Sequence, residues 1–170
     1  MERAYNLILV NTPNGYYALL GLENGLVWNL LGGQRERGDP TRYVTAAREL
    51  YEESVGLIDK RFDDDYWCSL SSYEYGKHKV FIHGTLNIDI NQLNHAAQAV
   101  SNNRDIAREF KEMHRFQFIK LIDLCNLTNC QLARGQHVMC THPHEKHMIV
   151  DGWLIYTLKN ANKSALEKYL

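Results

Sequence analysis

The stretch that decides the fold runs from Gly32 to Leu57 and is GGQRERGDPTRYVTAARELYEESVGL. A pair of glycines ends an apolar run, Leu26 to Leu31, that is typical of a β-strand. From Thr41 to about Ser54 the apolar residues follow the helical period and form one stripe. Asp39 is predicted to cap this helix and Pro40 to be its first residue. The stretch therefore predicts a strand, a glycine-containing loop and an amphipathic helix, in that order.

Three carboxylates lie on one face of the predicted helix. Glu49, Glu52 and Glu53 occur at i, i+3 and i+4, and residues at these spacings share a helix face. Like charges repel there, and the helix dipole also disfavours them near the C-terminal end. Arg48 neutralises one charge, and a divalent cation would neutralise the rest; carboxylate oxygens favour Mg²⁺ or Mn²⁺ over zinc. The residues alone leave one alternative, a solvated acidic helix face.

The same stretch resembles the Nudix box, the loop–helix–loop signature of Nudix hydrolases, written GX5EX7REUXEEXGU with U a bulky aliphatic residue. Gly33 matches the first glycine, and Asp39 stands where the first glutamate belongs. The residues 48–53 match REUXEE without a gap, and 56–57 match the closing GU. The carboxylate face of the helix is thus the part of the signature that is fully present.

Two single-residue insertions flank that core. Eight residues instead of seven separate Asp39 from Arg48. Two residues, Ser54 and Val55, stand between Glu53 and the closing glycine, where the signature has one. Both insertions fall outside REUXEE, so they concern the loops and not the metal-binding face.

The resemblance implies an α/β (α+β) fold, an α/β/α sandwich with a mixed sheet, in one domain spanning residues 1–170. It implies a metal-dependent pyrophosphohydrolase acting on a nucleoside diphosphate linked to another moiety, with Mg²⁺ or Mn²⁺ as cofactor. By the same resemblance, Glu49, Glu52 and Glu53 are expected to bind the metal, and Arg48 to hold one of these glutamates. The backbone at 32–33, Gly32 and Gly33, is expected to approach the metal or the phosphates.

A further carboxylate is expected from a distant part of the chain. In the family it often precedes a late strand, and Glu109 and Glu112 both lie just before the apolar residues 116–119. Glu112 is preferred as the fourth metal ligand, with Glu109 as the alternative. The general base varies between family members, so Glu49, Glu53 and the distal glutamate all remain candidates.

The rest of the chain predicts further short elements. Strands are predicted at Tyr5–Val10, Tyr16–Leu22, Tyr66–Tyr75, Lys79–Ile88 and Phe116–Leu121, and helices at Asp89–Val100, Asp105–Met113 and Ala161–Leu170. Residues 125–147 show no period but contain three cysteines and several histidines. Their spacings match no standard zinc site, and their role stays open.

Composition narrows the partners. The 170 residues carry a net charge of −1, which argues against a non-specific polyanion binder. The sequence contains no apolar run long enough for a membrane span, and the four cysteines form no CxxC pair. A cytoplasmic protein, monomer or homodimer, is therefore expected. Its substrate is expected to be a small phosphorylated nucleotide such as ADP-ribose, a dinucleoside polyphosphate or an NTP.

Three alternatives stay open at this point. One is hydrolysis of a capped RNA 5′ end or a diphosphoinositol polyphosphate, since a local basic groove is not visible in sequence. The second is a Nudix-fold module that binds a nucleotide without hydrolysing it. The third is an interaction protein whose acidic helix is merely solvated. Metal affinity separates the third from the others, and metal-dependent turnover separates an enzyme from a sensor.

Overall fold

A mixed β-sheet forms the centre of the computed structural model, which describes residues 1–127, 138–142, 145–150, 154, 158 and 163–170. Its strands are β1 (Arg3–Thr12), β2 (Gly15–Glu23), β3 (Val27–Asn29), β4 (Leu31–Gln34), β5 (Ser71–Tyr75), β6 (His78–His83), β7 (Met113–Lys120), β8 (Val138–His142) and β9 (Glu145–Val150). The helices are α1 (Arg42–Glu53), α2 (Asp64–Ser69), α3 (Ile90–Ser101), α4 (Leu121–Leu127) and α5 (Lys163–Leu166), with 3-10 turns at Arg108–Lys111 and Glu167–Tyr169.

β1 organises the sheet because its two halves have different partners. The first half pairs antiparallel with β4, and the second half pairs antiparallel with β2. On its other edge β1 pairs parallel with β6. β2 pairs antiparallel with both β3 and β7. The two glycines in the middle of β4 thus lie beside the start of β1, opposite Ala4 and Tyr5.

Two apolar cores cover the two faces of the sheet. Alternate side chains of β1 point to opposite faces: Ala4 and Ile8 pack in the core beneath α1 and α3, and Leu7 and Leu9 pack in the core that α4 completes with Leu124. Helices therefore lie on both faces of a mixed sheet. This confirms the predicted α/β/α layering and the α+β class.

Several predicted elements have different bounds. The predicted strand at 66–75 begins with a helix, α2, because the Asp63 side chain accepts a hydrogen bond from the Tyr66 N–H at 3.1 Å and caps it. The apolar run 26–31 is divided between β3 and β4. The predicted helix at 105–113 is wrong: it contains one 3-10 turn, which has no side-chain cap, and β7 begins at Met113.

Toward the C-terminus, the described part of the predicted helix 161–170 forms α5 and the 3-10 turn after it. Most of the cysteine- and histidine-containing stretch 125–147, its side chains in particular, lies outside the described residues. No helix in the described ranges combines the length and apolar character that a membrane crossing requires.

Candidate active site

Helix α1 presents the candidate site, and its first residue differs from the prediction. The cap is Thr41, whose hydroxyl accepts the Val44 N–H at 3.4 Å, and not Asp39. Asp39 lies in the loop before the helix, is buried, and receives hydrogen bonds from Arg48. Burial alone would raise the pKa of Asp39, but the hydrogen bond from the Arg48 guanidinium lowers it. Asp39 therefore anchors the loop to the helix as an ionised group.

The other end of α1 absorbs the second insertion. The Gly56 N–H donates to the Tyr51 carbonyl at 2.7 Å and the Val55 N–H donates to the Glu52 carbonyl at 3.0 Å, the two bonds of a Schellman motif. Val55 (φ 58°) and Gly56 (φ 77°) both have left-handed backbones, as expected for Gly56 but unusual for a β-branched residue such as Val55. The extra residue is thus accommodated after the helix, and the carboxylate face keeps its register.

Glu53 is the most deeply buried of the three helix carboxylates. Its side chain is only 3 % exposed, and its Oε2 accepts the Gly32 N–H at 2.6 Å. Burial, together with the charge of Glu49, raises the pKa of Glu53 well above its usual range. Glu53 lies behind the pocket surface and ties the end of α1 to the glycine pair of β4.

Glu49 lies next to the second glycine. A Cβ added to Gly33 would lie 2.5 Å from Glu49 Oε1, so only glycine leaves room for the carboxylate in this position. Burial raises the pKa of Glu49 to about 7. The two glycines therefore have different roles: Gly32 donates a backbone hydrogen bond to Glu53, and Gly33 leaves space for the Glu49 carboxylate.

Arg48 connects the carboxylates of the site. Its guanidinium lies 3.1 Å from Asp39 and 3.0 Å from both Glu49 and Glu52, and it donates to the Gln34 carbonyl at 3.0 Å. Burial opposes its positive charge, but the surrounding carboxylates raise the pKa of Arg48 above its ordinary value. The sequence predicted one glutamate for this arginine, and the structure gives it Asp39 and three glutamates, of which Glu36 is the most distant at 3.8 Å.

Both distal candidates reach the pocket from the opposite side. Glu109 lies in the 3-10 turn and Glu112 just before β7, and both line the same cavity as Glu49 and Glu52. The Glu112 carbonyl accepts the Asn24 N–H at 2.8 Å, which attaches this segment to the β2–β3 turn. Burial raises the pKa of Glu112. The structure thus brings the distal glutamates to the helix face and does not choose between them.

Glu23 and Asn29 are pocket residues that the sequence did not reveal. Both line the cavity, and the Asn29 amide donates to Glu23 at 3.1 Å. In sequence, Glu23 begins an ordinary turn and Asn29 lies within an apolar run, so neither carries a signal. By contrast, Trp28 of β3 and Trp67 of α2 are buried in the two cores.

The pocket lies between the carboxylate face of α1 and the residues opposite it, Glu23, Asn29, Glu109 and Glu112. Its volume is about 420 Å³. Among the described residues, six glutamates line it, against two arginines, Arg3 and Arg48. Within the described ranges, no three acidic, histidine or cysteine side chains already converge as metal ligands. The donor set nevertheless suits a hard divalent cation, since carboxylates outnumber cationic side chains among the described lining residues.

Comparisons with known proteins are limited to three-dimensional likeness. No family model and no curated protein matches the chain. A binary complex of an Ap4A hydrolase from C. elegans matches with TM-score 0.47 and 16 % identity over 76 % of this chain and 87 % of that one. A second structure of C. elegans Ap4A hydrolase matches with TM-score 0.42 and 18 % identity over 76 % and 86 %. The NUDIX domain of Shewanella oneidensis NrtR, complexed with ADP ribose, matches with TM-score 0.42 and 12 % identity over 78 % and 79 %. Likeness at this level transfers no activity or ligand to this chain, whose site must be judged by its own geometry.

Proposed function

We propose that the chain is a Nudix-type, metal-dependent pyrophosphohydrolase that cleaves the diphosphate linkage of a nucleoside diphosphate joined to another moiety. One observation carries this proposal. The glutamates of α1 share one face. The Gly32 N–H donates a hydrogen bond to Glu53, and the absence of a side chain at Gly33 leaves space for the Glu49 carboxylate. If this acidic face were merely solvated, Glu49 and Glu53 would not be buried, and they would not lie against two glycines of strand β4.

Glu49, Glu52 and Glu53 would hold the divalent cation, with Glu112 as the candidate from the opposite wall. When bound, such a cation polarises a phosphate oxygen and lowers the pKa of a water molecule. Arg48 orients the carboxylates, since its planar guanidinium contacts Glu49 and Glu52 at the same time. A carboxylate would then take the proton of the attacking water, and Glu49, Glu53 and Glu112 remain the candidates for this general base.

A small nucleotide is favoured over a long polyanion as the substrate. Arg3 and Arg48 are the two cations among the described residues that line the pocket, and Arg48 already contacts four carboxylates. Binding of a nucleic acid backbone requires many cationic contacts. We therefore place a nucleotide sugar such as ADP-ribose, a dinucleoside polyphosphate or an NTP ahead of a capped RNA end.

Product release from a substrate panel tests the proposal. The panel would contain ADP-ribose, a dinucleoside polyphosphate, an NTP and a capped oligonucleotide, each with Mg²⁺, with Mn²⁺ and with EDTA. Glu53→Gln keeps the acceptor for the Gly32 N–H but removes the charge, and kcat is expected to fall about 10²- to 10⁴-fold. Glu74→Gln is the matched control, since Glu74 is exposed and lines a different cavity.

The outcomes separate the function classes. Metal-dependent turnover that is lost in Glu53→Gln and kept in Glu74→Gln supports the enzyme. No turnover on any substrate, with nucleotide binding detected by calorimetry, would replace it with a nucleotide sensor. No turnover and no metal or nucleotide binding would leave an acidic surface without a catalytic role.

A further inference from the structure

Three polar side chains form a connected chain inside the core beneath α1. The Tyr66 hydroxyl of α2 lies 2.7 Å from His83 Nδ1, and His83 Nε2 lies 2.9 Å from Asn6 Oδ1. Asn6 and His83 have no exposed surface at all. A buried polar set of this kind is stable only when every donor finds an acceptor.

The direction of each hydrogen bond follows from Asn6. Its Nδ2 donates both protons, one to the Leu31 carbonyl at 3.1 Å and one to the Ala46 carbonyl at 3.0 Å. Its Oδ1 is then an acceptor, so His83 must carry its proton on Nε2. His83 Nδ1 in turn accepts the Tyr66 hydroxyl proton. One arrangement of protons, with His83 neutral, therefore gives hydrogen bonds to all five groups. These are the Asn6 amide, the His83 ring, the Tyr66 hydroxyl and the carbonyls of Leu31 and Ala46.

The two carbonyls that Asn6 holds belong to the two elements that build the site. Leu31 immediately precedes Gly32, whose N–H binds Glu53. Ala46 lies in α1, three residues before Glu49. The side-chain amide of Asn6 on β1 therefore links β4 to α1, close to where Gly32 and Gly33 lie against Glu53 and Glu49.

Packing alone does not require a polar residue here. Asn6 is surrounded by the apolar core that contains Ala4, Ile8 and Leu31, and an apolar residue there would leave the buried His83 Nε2–H without its acceptor. Buried polar groups often give no gain in stability over apolar ones of the same shape. What the amide adds is a fixed spacing between two backbone segments.

We propose that Asn6 is a positioning residue of the candidate active site: its amide fixes β4 against α1 and thereby holds the Gly32 N–H on Glu53 and Gly33 against Glu49. The effect on turnover rests on the proposed hydrolase function. The effect on the Gly32 amide does not, because that hydrogen bond exists without substrate or metal.

The test compares Asn6→Leu, which replaces the NH2 donor and the oxygen acceptor of the amide with methyl groups in the same branched arrangement, with Tyr66→Phe as the matched control. Tyr66→Phe breaks the far end of the same chain and leaves both Asn6 bonds in place. For Asn6→Leu, kcat is expected to fall at least about tenfold with KM changed less than about threefold, as for lost alignment. Hydrogen exchange of the Gly32 amide, relative to the Leu20 amide of β2, is expected to quicken at least about tenfold. Tyr66→Phe is expected to leave both quantities within about twofold.

Two results would overturn the proposal. One is that Asn6→Leu keeps both kcat and the relative protection of Gly32; the other is that Tyr66→Phe changes both as much as Asn6→Leu does. Asn6→Ser, whose one hydroxyl proton cannot bind both the Leu31 and the Ala46 carbonyl, replaces Asn6→Leu if that variant does not fold, with the same expectations. If the wild-type protein turns over no substrate, the hydrolase proposal fails, and the exchange of the Gly32 amide still decides whether Asn6 positions β4.

Discussion

Gly33→Ala is expected to impair the candidate site while leaving the fold intact. The new Cβ would lie 2.5 Å from Glu49 Oε1, where ordinary contact begins at 3.4 Å, so the carboxylate has to move by about 0.9 Å. A misplacement of about 1 Å at a reacting centre costs about 10²-fold in rate, or about 2.7 kcal/mol of transition-state stabilisation. Only the end of a side chain has to move, so the free energy of unfolding should change by less than about 1 kcal/mol.

The assay is steady-state kinetics on the substrate that the panel identifies, with urea unfolding in parallel. Gly38→Ala is the matched control, because a Cβ at Gly38 meets nothing within 4 Å. We expect kcat to fall about 100-fold for Gly33→Ala and less than twofold for Gly38→Ala. The reasoning is refuted if Gly33→Ala retains kcat within twofold, since Glu49 would then have no need of its present position.

Three further predictions concern the supports of the site. Arg48→Lys keeps the charge, but one ammonium cannot replace a guanidinium that contacts four carboxylates. We therefore expect kcat to fall at least about tenfold for Arg48→Lys and to stay near wild type for Arg42→Lys, elsewhere on α1; equal losses would contradict this. Thr41→Ala removes the helix cap and should lower the free energy of unfolding by about 1 kcal/mol, with Thr41→Ser retaining most of it in urea titrations; an unchanged midpoint would show that the cap is dispensable. Burial lowers the pKa of His83 to about 3, whereas in the unfolded chain it is about 6.5. Between these pH values unfolding therefore takes up a proton at His83. As the pH falls from 7 to 5, this uptake should lower the free energy of unfolding by about 2 kcal/mol. His83→Gln should lack that part of the pH dependence, and parallel stability curves for the two proteins would exclude it.

Local sequence predicted the helix of the site and its chemistry. The spacing of Glu49, Glu52 and Glu53 sets their common face because it follows from the period of one helix. The helix bounds were nearly right, with the cap at Thr41 instead of Asp39. Fold class was predicted through the resemblance of this one stretch to a known signature, and the layered sheet confirms it. Roles of the individual site residues remain predictions.

Nonlocal partners were not predictable in the same way. Glu23 and Asn29 reach the pocket only because β2 pairs with both β3 and β7. Nothing in the sequence of β2 or β3 indicates this pairing. The same holds for helix α2, where the Asp63 cap prevailed over a strand-like run.

By itself, the sequence determined which carboxylates face the same side of α1 and that two glycines precede them, since both follow from neighbours along the chain. Only the tertiary structure decided that those glycines fit Glu49 and Glu53, and that a buried amide 25 residues before Leu31 and 40 before Ala46 holds the two segments together. Close contacts between distant segments depend on how the sheet and helix pack, and packing is a property of the whole fold.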